Sequence, residues 1–180
     1  MIRRGLRLAL FGTAVAWIVD RALAARSGGA TPPPVETSVV VRAPIERVWQ
    51  VLADVEGQPR WMRDMKAVRI DQPGEIGVGT RAEADVRIFG LRVLDPISIT
   101  AFEPPRSFAI RHEGRFSGSG DIRLEPDADG DTTTVIWAET LVPPWLPSLG
   151  TWILTPILRR VFQSDLERLR DLVETGLVGS

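Results

Sequence analysis

The chain has 180 residues, of which 44% are hydrophobic and 25% are charged, a balance that suits one folded domain with a short appendage. The net charge of −1 and the lack of a basic run in the body of the chain argue against a nucleic-acid partner. Cysteine is absent, which excludes disulfides, thiol nucleophiles, cysteine-bound zinc and a cysteine-linked lipid anchor. The single histidine, His112, cannot supply a multi-histidine metal site, so we expect no metal and no cofactor.

Residues 1–26 form an N-terminal segment in which arginines precede an uncharged run from Leu8 to Val19. A membrane-spanning helix needs roughly 20 apolar residues, and Leu6 to Ala25 would suffice if Arg7 reaches the interface. A cleaved signal peptide would use Ala22-Leu23-Ala24 as its cleavage site. An amphipathic helix on the membrane surface and a helix packed on the protein itself are the other interpretations.

Of these, we expect a single uncleaved N-terminal anchor that makes the membrane a partner of this protein. The basic residues precede the apolar run, so the N-terminus would stay in the cytoplasm and the domain would be extracytoplasmic. Secretion and peripheral attachment to the cytoplasmic face are the alternatives. Residues 27–35 combine glycines with three consecutive prolines, which predicts a linker between the anchor and the domain.

The domain itself is predicted to cover residues 36–176. It opens with a β-branched strand, Glu36 to Arg42. Pro44 suits the first turn of a helix with an apolar stripe from Ile45 to Val55, and a second short helix or turn, Glu56 to Trp61, follows. Alternation and turn residues predict six further strands: Met65–Ile70, Thr80–Phe89, Leu91–Phe102, Ser107–Arg115, Gly118–Glu125 and Thr132–Val142.

A long C-terminal helix, Leu149 to Thr175, completes the domain, and Gly176 is a plausible stop. Consecutive strands joined by short turns predict an antiparallel sheet of about seven strands. The fold class is therefore α+β, with two short helices after the first strand and the long helix available to cover the buried face of the sheet.

The start of the domain carries a specific motif. A strand leads into Ala43-Pro44, then into the helix VWQVLAD from Val48 to Asp54, and Trp61 follows at the next element. This pattern resembles the START-like, or SRPBCC, superfamily, and within it the polyketide cyclase/dehydrase-like members. The later sequences AFEPPRSFAIRHEG and TTTVIWAETLVPP fit as well, so the resemblance covers Glu36 to Glu174.

The resemblance implies the helix-grip fold of the birch-pollen allergen, in which a curved antiparallel sheet wraps around the C-terminal helix and leaves a deep cavity. Members bind lipids, polyketides, hormones or other apolar ligands, and some catalyse cyclisation or dehydration. We therefore expect a hydrophobic small molecule or lipid as the ligand. The residues predicted to line the cavity are Trp61, Ala84, Val86, Ile88, Ile97, Ile99, Phe108, Ile110, His112, Trp137, Trp152, Ile153 and Ile157.

His112 is the first of three candidates for chemistry in that cavity. It shares a strand face with Phe108 and Ile110, so the alternation points it inward. An imidazole there could act as a general base or hold a ligand carbonyl. The alternative is an ordinary buried histidine that a polar neighbour satisfies.

Glu139 and Asp95 are the other two candidates. Glu139 shares a face with Trp137, and we expect it either to face solvent or to form a simple ion pair, with Arg111 or Arg63 as its partner. Asp95 falls among apolar residues of its strand, although a bulge at the following proline could turn it outward.

Three functions remain open. The first is binding, and possibly transport, of a hydrophobic small molecule or lipid in an internal cavity at a membrane. The second is a polyketide cyclase/dehydratase-like enzyme that uses His112 and a cavity carboxylate. The third is a membrane-tethered interaction domain with an incidental cavity. A purely apolar cavity would favour the first. A buried His112 with a carboxylate partner, and above all a cluster of Asp95, His112 and Glu139 inside the cavity, would favour the second. A collapsed cavity with an exposed apolar patch would favour the third.

Overall fold

The computed structural model describes residues 2–26, 28, 32–72, 74–88 and 90–176, with the side chains of residues 2–12, 14 and 88 outside that description. The elements in chain order are α1 (Ile2–Arg26), β1 (Val35–Val41), α2 (Ile45–Leu52), a 3-10 turn (Gln58–Arg60), β2 (Met65–Ile70), β3 (Arg81–Ile88), β4 (Leu91–Glu103), β5 (Ser107–Glu113), β6 (Ser117–Pro126), β7 (Thr133–Val142) and α3 (Pro147–Thr175).

The seven strands form one antiparallel sheet in the order β1-β7-β6-β5-β4-β3-β2. Strands β2 to β7 run as a meander, and β7 then pairs with β1, with Trp137 opposite Thr37. This is the α+β helix-grip fold, so the predicted fold class is confirmed. Of the predicted linker, residues 27–35, residues 27 and 29–31 lie outside the described residues and Val35 already belongs to β1, so the linker stays a prediction.

The core lies between one face of the sheet and the helices α2 and α3. Along β1 buried and exposed residues alternate without interruption. The C-terminal half of α3 contributes Leu166 and Leu169, both fully buried, to the same core cluster as Val135 of β7 and Leu52 of α2. Burying a leucine side chain stabilises the fold by about 1.5–3 kcal/mol, so this layer fixes the helix on the sheet.

The N-terminal helix packs on the first turns of α3. Asp20 is buried, and its Oδ1 accepts hydrogen bonds from the backbone N–H groups of Ser148 and Leu149, each at 2.8 Å. A carboxylate at a helix N-terminus satisfies free N–H groups and favours the helix dipole. None of the helices in the described part of the chain is both long and apolar enough to cross a membrane, so the predicted spanning anchor is not supported.

Candidate ligand-binding cavity

A cavity of about 200 Å³ lies between the concave face of the sheet and the middle of α3. Most of its lining is apolar and comes from six strands, the turn between β5 and β6, the segment before β2 and one side of α3. These apolar residues are Met62, Met65, Ala84, Val86, Val93, Ile97, Phe108, Ile110, Phe116, Ile122, Trp137, Leu141, Ile157, Leu158, Val161 and Phe162. An apolar enclosure of this kind suits a ligand that leaves water at little cost.

A polar cluster of Asp95, His112 and Glu139 interrupts this apolar lining. His112 Nδ1 lies 2.6 Å from Asp95 Oδ2, and His112 Nε2 lies 2.6 Å from Glu139 Oε1. Trp137 Nε1 donates a hydrogen bond of 2.8 Å to the other oxygen of Glu139. Asp95 and Glu139 are only 8% and 4% exposed, so the cluster is held by its own contacts and not by solvent.

The imidazole of His112 is held as an imidazolium. Burial alone lowers the pKa of His112, but the hydrogen bonds and negative charges of Asp95 and Glu139 outweigh burial and raise that pKa to about 10. At neutral pH both ring nitrogens carry protons and both donate to carboxylates. His112 therefore has no lone pair free to accept a proton from a ligand.

Two glycines make room for the carboxylates of the cluster. Strand β6 separates β5, which carries His112, from β7, which carries Glu139. Gly120 of β6 lies opposite Glu139 in the sheet register, and a Cβ on Gly120 would collide with Glu139 Oε2. A Cβ on Gly114 would lie 2.5 Å from Asp95 Oδ1. Only glycine lets Glu139 reach across β6 to the imidazole.

A further acid, Asp165, lines the cavity from α3. It is 4% exposed, and its Oδ1 accepts a hydrogen bond of 3.0 Å from the backbone N–H of Arg63. Burial raises the pKa of Asp165 to about 6, and the hydrogen bond from Arg63 opposes that shift.

Comparison with known proteins agrees with this architecture. Residues 33–174 match the family model described as polyketide cyclase / dehydrase and lipid transport. The chain belongs to this family. No curated protein matches the chain.

Solved structures share the fold. The ZhuI aromatase/cyclase from Streptomyces sp. R1128 superposes with a TM-score of 0.65 at 22% identity, covering 78% of this chain and 93% of that one. A START superfamily protein from Mycobacterium smegmatis gives 0.55 at 20% identity, covering 77% and 99%. A protein from Deinococcus radiodurans gives 0.60 at 23% identity, covering 80% and 99%. Likeness at these identities establishes the fold and not the ligand.

The structure divides the residues that were predicted to line the cavity into three groups. Those that line it are Ala84, Val86, Ile97, Phe108, Ile110, His112, Trp137 and Ile157. Trp61 and Ile99 lie in the core without reaching the cavity. Trp152 and Ile153 are 70% and 49% exposed and do not line this cavity, because they border a separate pocket beside α1 and the ends of β6 and β7. The side chain of Ile88 lies outside the described residues.

The expected positions of the two candidate carboxylates need correction. Glu139 neither faces solvent nor pairs with an arginine, since it is buried beside His112 and Trp137. Arg111 is exposed on the opposite face of β5 from His112. The proline after Asp95 does not turn it outward, because Asp95 lies on the buried face of β4 together with Ile97 and Ile99.

Sequence reasoning missed Asp165 and the cavity residues of the segment before β2, which are Gln58, Met62 and Asp64. A signal for Asp165 exists, because it lies four residues after Val161 and four before Leu169 on the apolar stripe of α3. No comparable signal exists for Gln58 and Met62, which belong to a turn without periodicity.

Proposed function

We propose that this protein binds a hydrophobic small molecule or lipid in the cavity. The observation that carries the proposal is the apolar enclosure between the sheet and α3, which the native side chains leave unfilled. Natural cores are close-packed, so a cavity of this size within the fold favours a ligand as its occupant. The family to which the chain belongs includes lipid transport among its described activities.

His112 is buried with carboxylate partners, which is the arrangement expected of an enzyme, but its state argues against a role as a general base and so favours binding without chemistry. A general base needs a free lone pair and a pKa near the working pH. Both ring nitrogens of His112 are engaged by carboxylates, and the pKa of His112 is raised to about 10. The most basic side chain of the cavity is therefore already protonated and already paired.

Native mass spectrometry of the purified full chain tests the binding proposal. We expect an apolar compound to co-purify, or to be acquired from a lipid extract. Ile110→Trp, which fills the cavity from β5, should abolish this, whereas Arg111→Trp on the opposite face of the same strand should not. A chain that carries no compound and acquires none contradicts the proposal.

A second candidate function is polyketide cyclase/dehydratase-like catalysis, which the Asp95–His112–Glu139 cluster favours. Titratable groups whose pKa values are strongly shifted by an apolar pocket and by charged neighbours are typical of active sites. In this function one N–H of the imidazolium would leave its carboxylate partner to protonate a ligand carbonyl, and the carboxylate so released would remove a proton from the ligand. Turnover of a poly-β-ketone thioester by the wild type, with loss in His112→Ala, would support it; equal turnover by both would remove His112 from any catalytic role.

We further propose that the protein works at a membrane. Three indole rings support this, because Trp17, Trp145 and Trp152 are 57%, 81% and 70% exposed near the contact of α1 with α3. Exposed tryptophans favour the membrane interface. Arg21 stacks on Trp17 at 5.4 Å, which adds positive charge to the same surface. The cavity is not collapsed, which gives less support to an interaction domain with an incidental cavity.

Flotation with vesicles of phosphatidylcholine and phosphatidylglycerol tests the membrane proposal. The double variant Trp145→Ser/Trp152→Ser should lose most of its vesicle-bound fraction. The matched control, Val78→Ser/Leu91→Ser, removes two exposed apolar side chains, one from the loop before β3 and one from the first position of β4, and should float like the wild type. Equal loss in both double variants would contradict the assigned surface.

A further inference from the structure

The charged groups that face the cavity are almost all acidic. The carboxylates of Asp64, Asp95, Glu139 and Asp165 line it, and His112 is the one cation among the described lining residues. None of those residues is a lysine or an arginine. Arg63 and Arg168 act on Asp165 only from outside the lining, and the pKa of Asp165 stays raised in their presence.

The hydrogen-bond donors of the polar cluster are already used. Both N–H groups of His112 point to carboxylates, and the N–H of Trp137 points to Glu139. A ligand carboxylate or carbonyl at this cluster would therefore meet acceptors and find no free donor. Anions would also meet the uncompensated negative charge at low effective dielectric, where repulsion is strong.

One acceptor of the cluster is left over. Asp95 Oδ1 is buried and has no hydrogen-bond partner among the described residues. A buried carboxylate oxygen without a donor is unfavourable, and a ligand that supplies a donor would remove that cost. Glycine at position 114 makes room for this oxygen, since a Cβ there would lie 2.5 Å from it.

We propose that the cavity selects an apolar ligand that donates a hydrogen bond to Asp95, through a hydroxyl or an ammonium group, and rejects carboxylates and other anions. The proposal deepens the binding function and rests on it. Such a cavity would distinguish alcohols, phenols and amines from fatty acids, although both classes offer similar apolar surface.

Four naphthalene probes on one scaffold test the selection with the full chain: the 2-methanol, its methyl ether, the 2-aminomethyl compound and the 2-carboxylate. Titration calorimetry at pH 7 should rank the alcohol and the amine first, with the ether about tenfold weaker for lack of a donor. The carboxylate should be weaker by about 30-fold or more, because of repulsion in the cavity.

The outcomes separate failure of the selection from failure of the binding function. A carboxylate or an ether that binds as tightly as the alcohol overturns the selection and leaves the binding function standing. Failure of all four probes and of unsubstituted naphthalene overturns the selection together with the binding function. Binding of naphthalene with no difference among the four substituents overturns the selection alone.

Asp95→Asn supplies a second measurement, since it keeps the shape of the side chain and removes its charge. We expect the preference for the alcohol over the carboxylate to fall about tenfold or more. The control Glu113→Gln removes a charge from an exposed position on β5, beside Ser98, and should leave the preference unchanged. An equal shift in both variants would attribute the selection to net charge and overturn the role of the cavity.

Discussion

The two halves of α3 share an apolar stripe but pack differently. In the C-terminal half, Leu166 and Leu169 are fully buried, and Gln163 bonds to the Ser38 carbonyl on β1. In the N-terminal half, Ile157 borders the cavity and is 37% exposed, while Trp152 is 70% exposed. From Leu166 onward the helix forms a close-packed core, whereas its middle, from Ile157 to Asp165, covers the cavity. The periodicity of the helix is the same in both parts. The elements packed opposite each part therefore decide whether it adds to the stable core or lines the ligand cavity.

The largest expected effect comes from breaking the polar cluster on the cavity side. His112→Ala leaves Asp95 and Glu139 buried without their shared cation, and we expect a loss of about 4 kcal/mol in the free energy of unfolding. Urea denaturation at pH 7 measures it. Arg111→Ala, exposed on the other face of β5, should change stability by less than about 0.5 kcal/mol. A loss below about 1 kcal/mol in His112→Ala would contradict the buried cluster.

The same variant gives a pH test. The pKa of His112 is raised from 6.5 to about 10 in the folded state, so its stabilisation is complete below pH 6.5 and is lost as the pH rises through 10. The stability difference between wild type and His112→Ala should therefore shrink steadily from pH 7 to pH 10. A difference that stays constant over this range would show that the imidazole is not held as a cation.

The next largest effect is expected in the core that the C-terminal half of α3 forms. Leu169→Ala removes a fully buried side chain from the C-terminal half of α3, and we expect a loss of about 3 kcal/mol. Trp152→Ala in the N-terminal half removes a larger side chain that is mostly exposed, and should cost under about 1 kcal/mol. Equal losses in the two variants would contradict the division of α3 into two halves.

A smaller effect is expected at Gly120. Its replacement by alanine forces Glu139 away from β6, and we expect a loss of about 2 kcal/mol from overpacking. Because Glu139 then bonds less well to His112, the imidazole pKa measured by NMR should fall. Gly77→Ala is the matched control, since a Cβ there meets nothing within 4 Å, and should leave both quantities unchanged.

The strands were predictable because apolar and polar residues that alternate along a segment are typical of a strand with one buried face. The predicted bounds of β3 differ from those in the structure by one residue at each end, and those of β2 are identical. The inward direction of Glu139 was not predicted, although Val135 and Trp137 share its face. The cost of burying a lone carboxylate argued against that position.

What removes that cost is a long-range contact. His112 reaches Glu139 only because β5, β6 and β7 pair in a register that places Gly120 between them. A single sequence contains the three residues but not the register, so the cluster could be named as a possibility and not as a site. Asp165 is the opposite case. Its position on the apolar stripe of α3 follows from the sequence alone, but it was not among the predicted cavity residues.

Asp165 provides the smallest and most specific test of the boundary between the two halves of α3. Burial raises its pKa from 3.8 to about 6, so the folded state binds the proton more tightly than the unfolded state. Its contribution is therefore most favourable below pH 3.8 and is lost as the pH rises through 6. Asp165→Asn keeps an oxygen for the N–H of Arg63 and removes the charge. We expect the variant to gain ~1 kcal/mol at pH 8 and nothing at pH 4.

Asp171→Asn is the matched control for this variant. Asp171 lies on the same helix, but it is half-exposed and paired with Arg170 at 2.9 Å, so its replacement should change stability by less than about 0.5 kcal/mol at either pH. Because Asp165 also lines the cavity, its asparagine variant should bind the naphthalene carboxylate more tightly while Asp171→Asn does not. A variant at Asp165 that loses stability at pH 8 would mean that its charge is compensated, and that the acidic character of the cavity ends at Asp95 and Glu139.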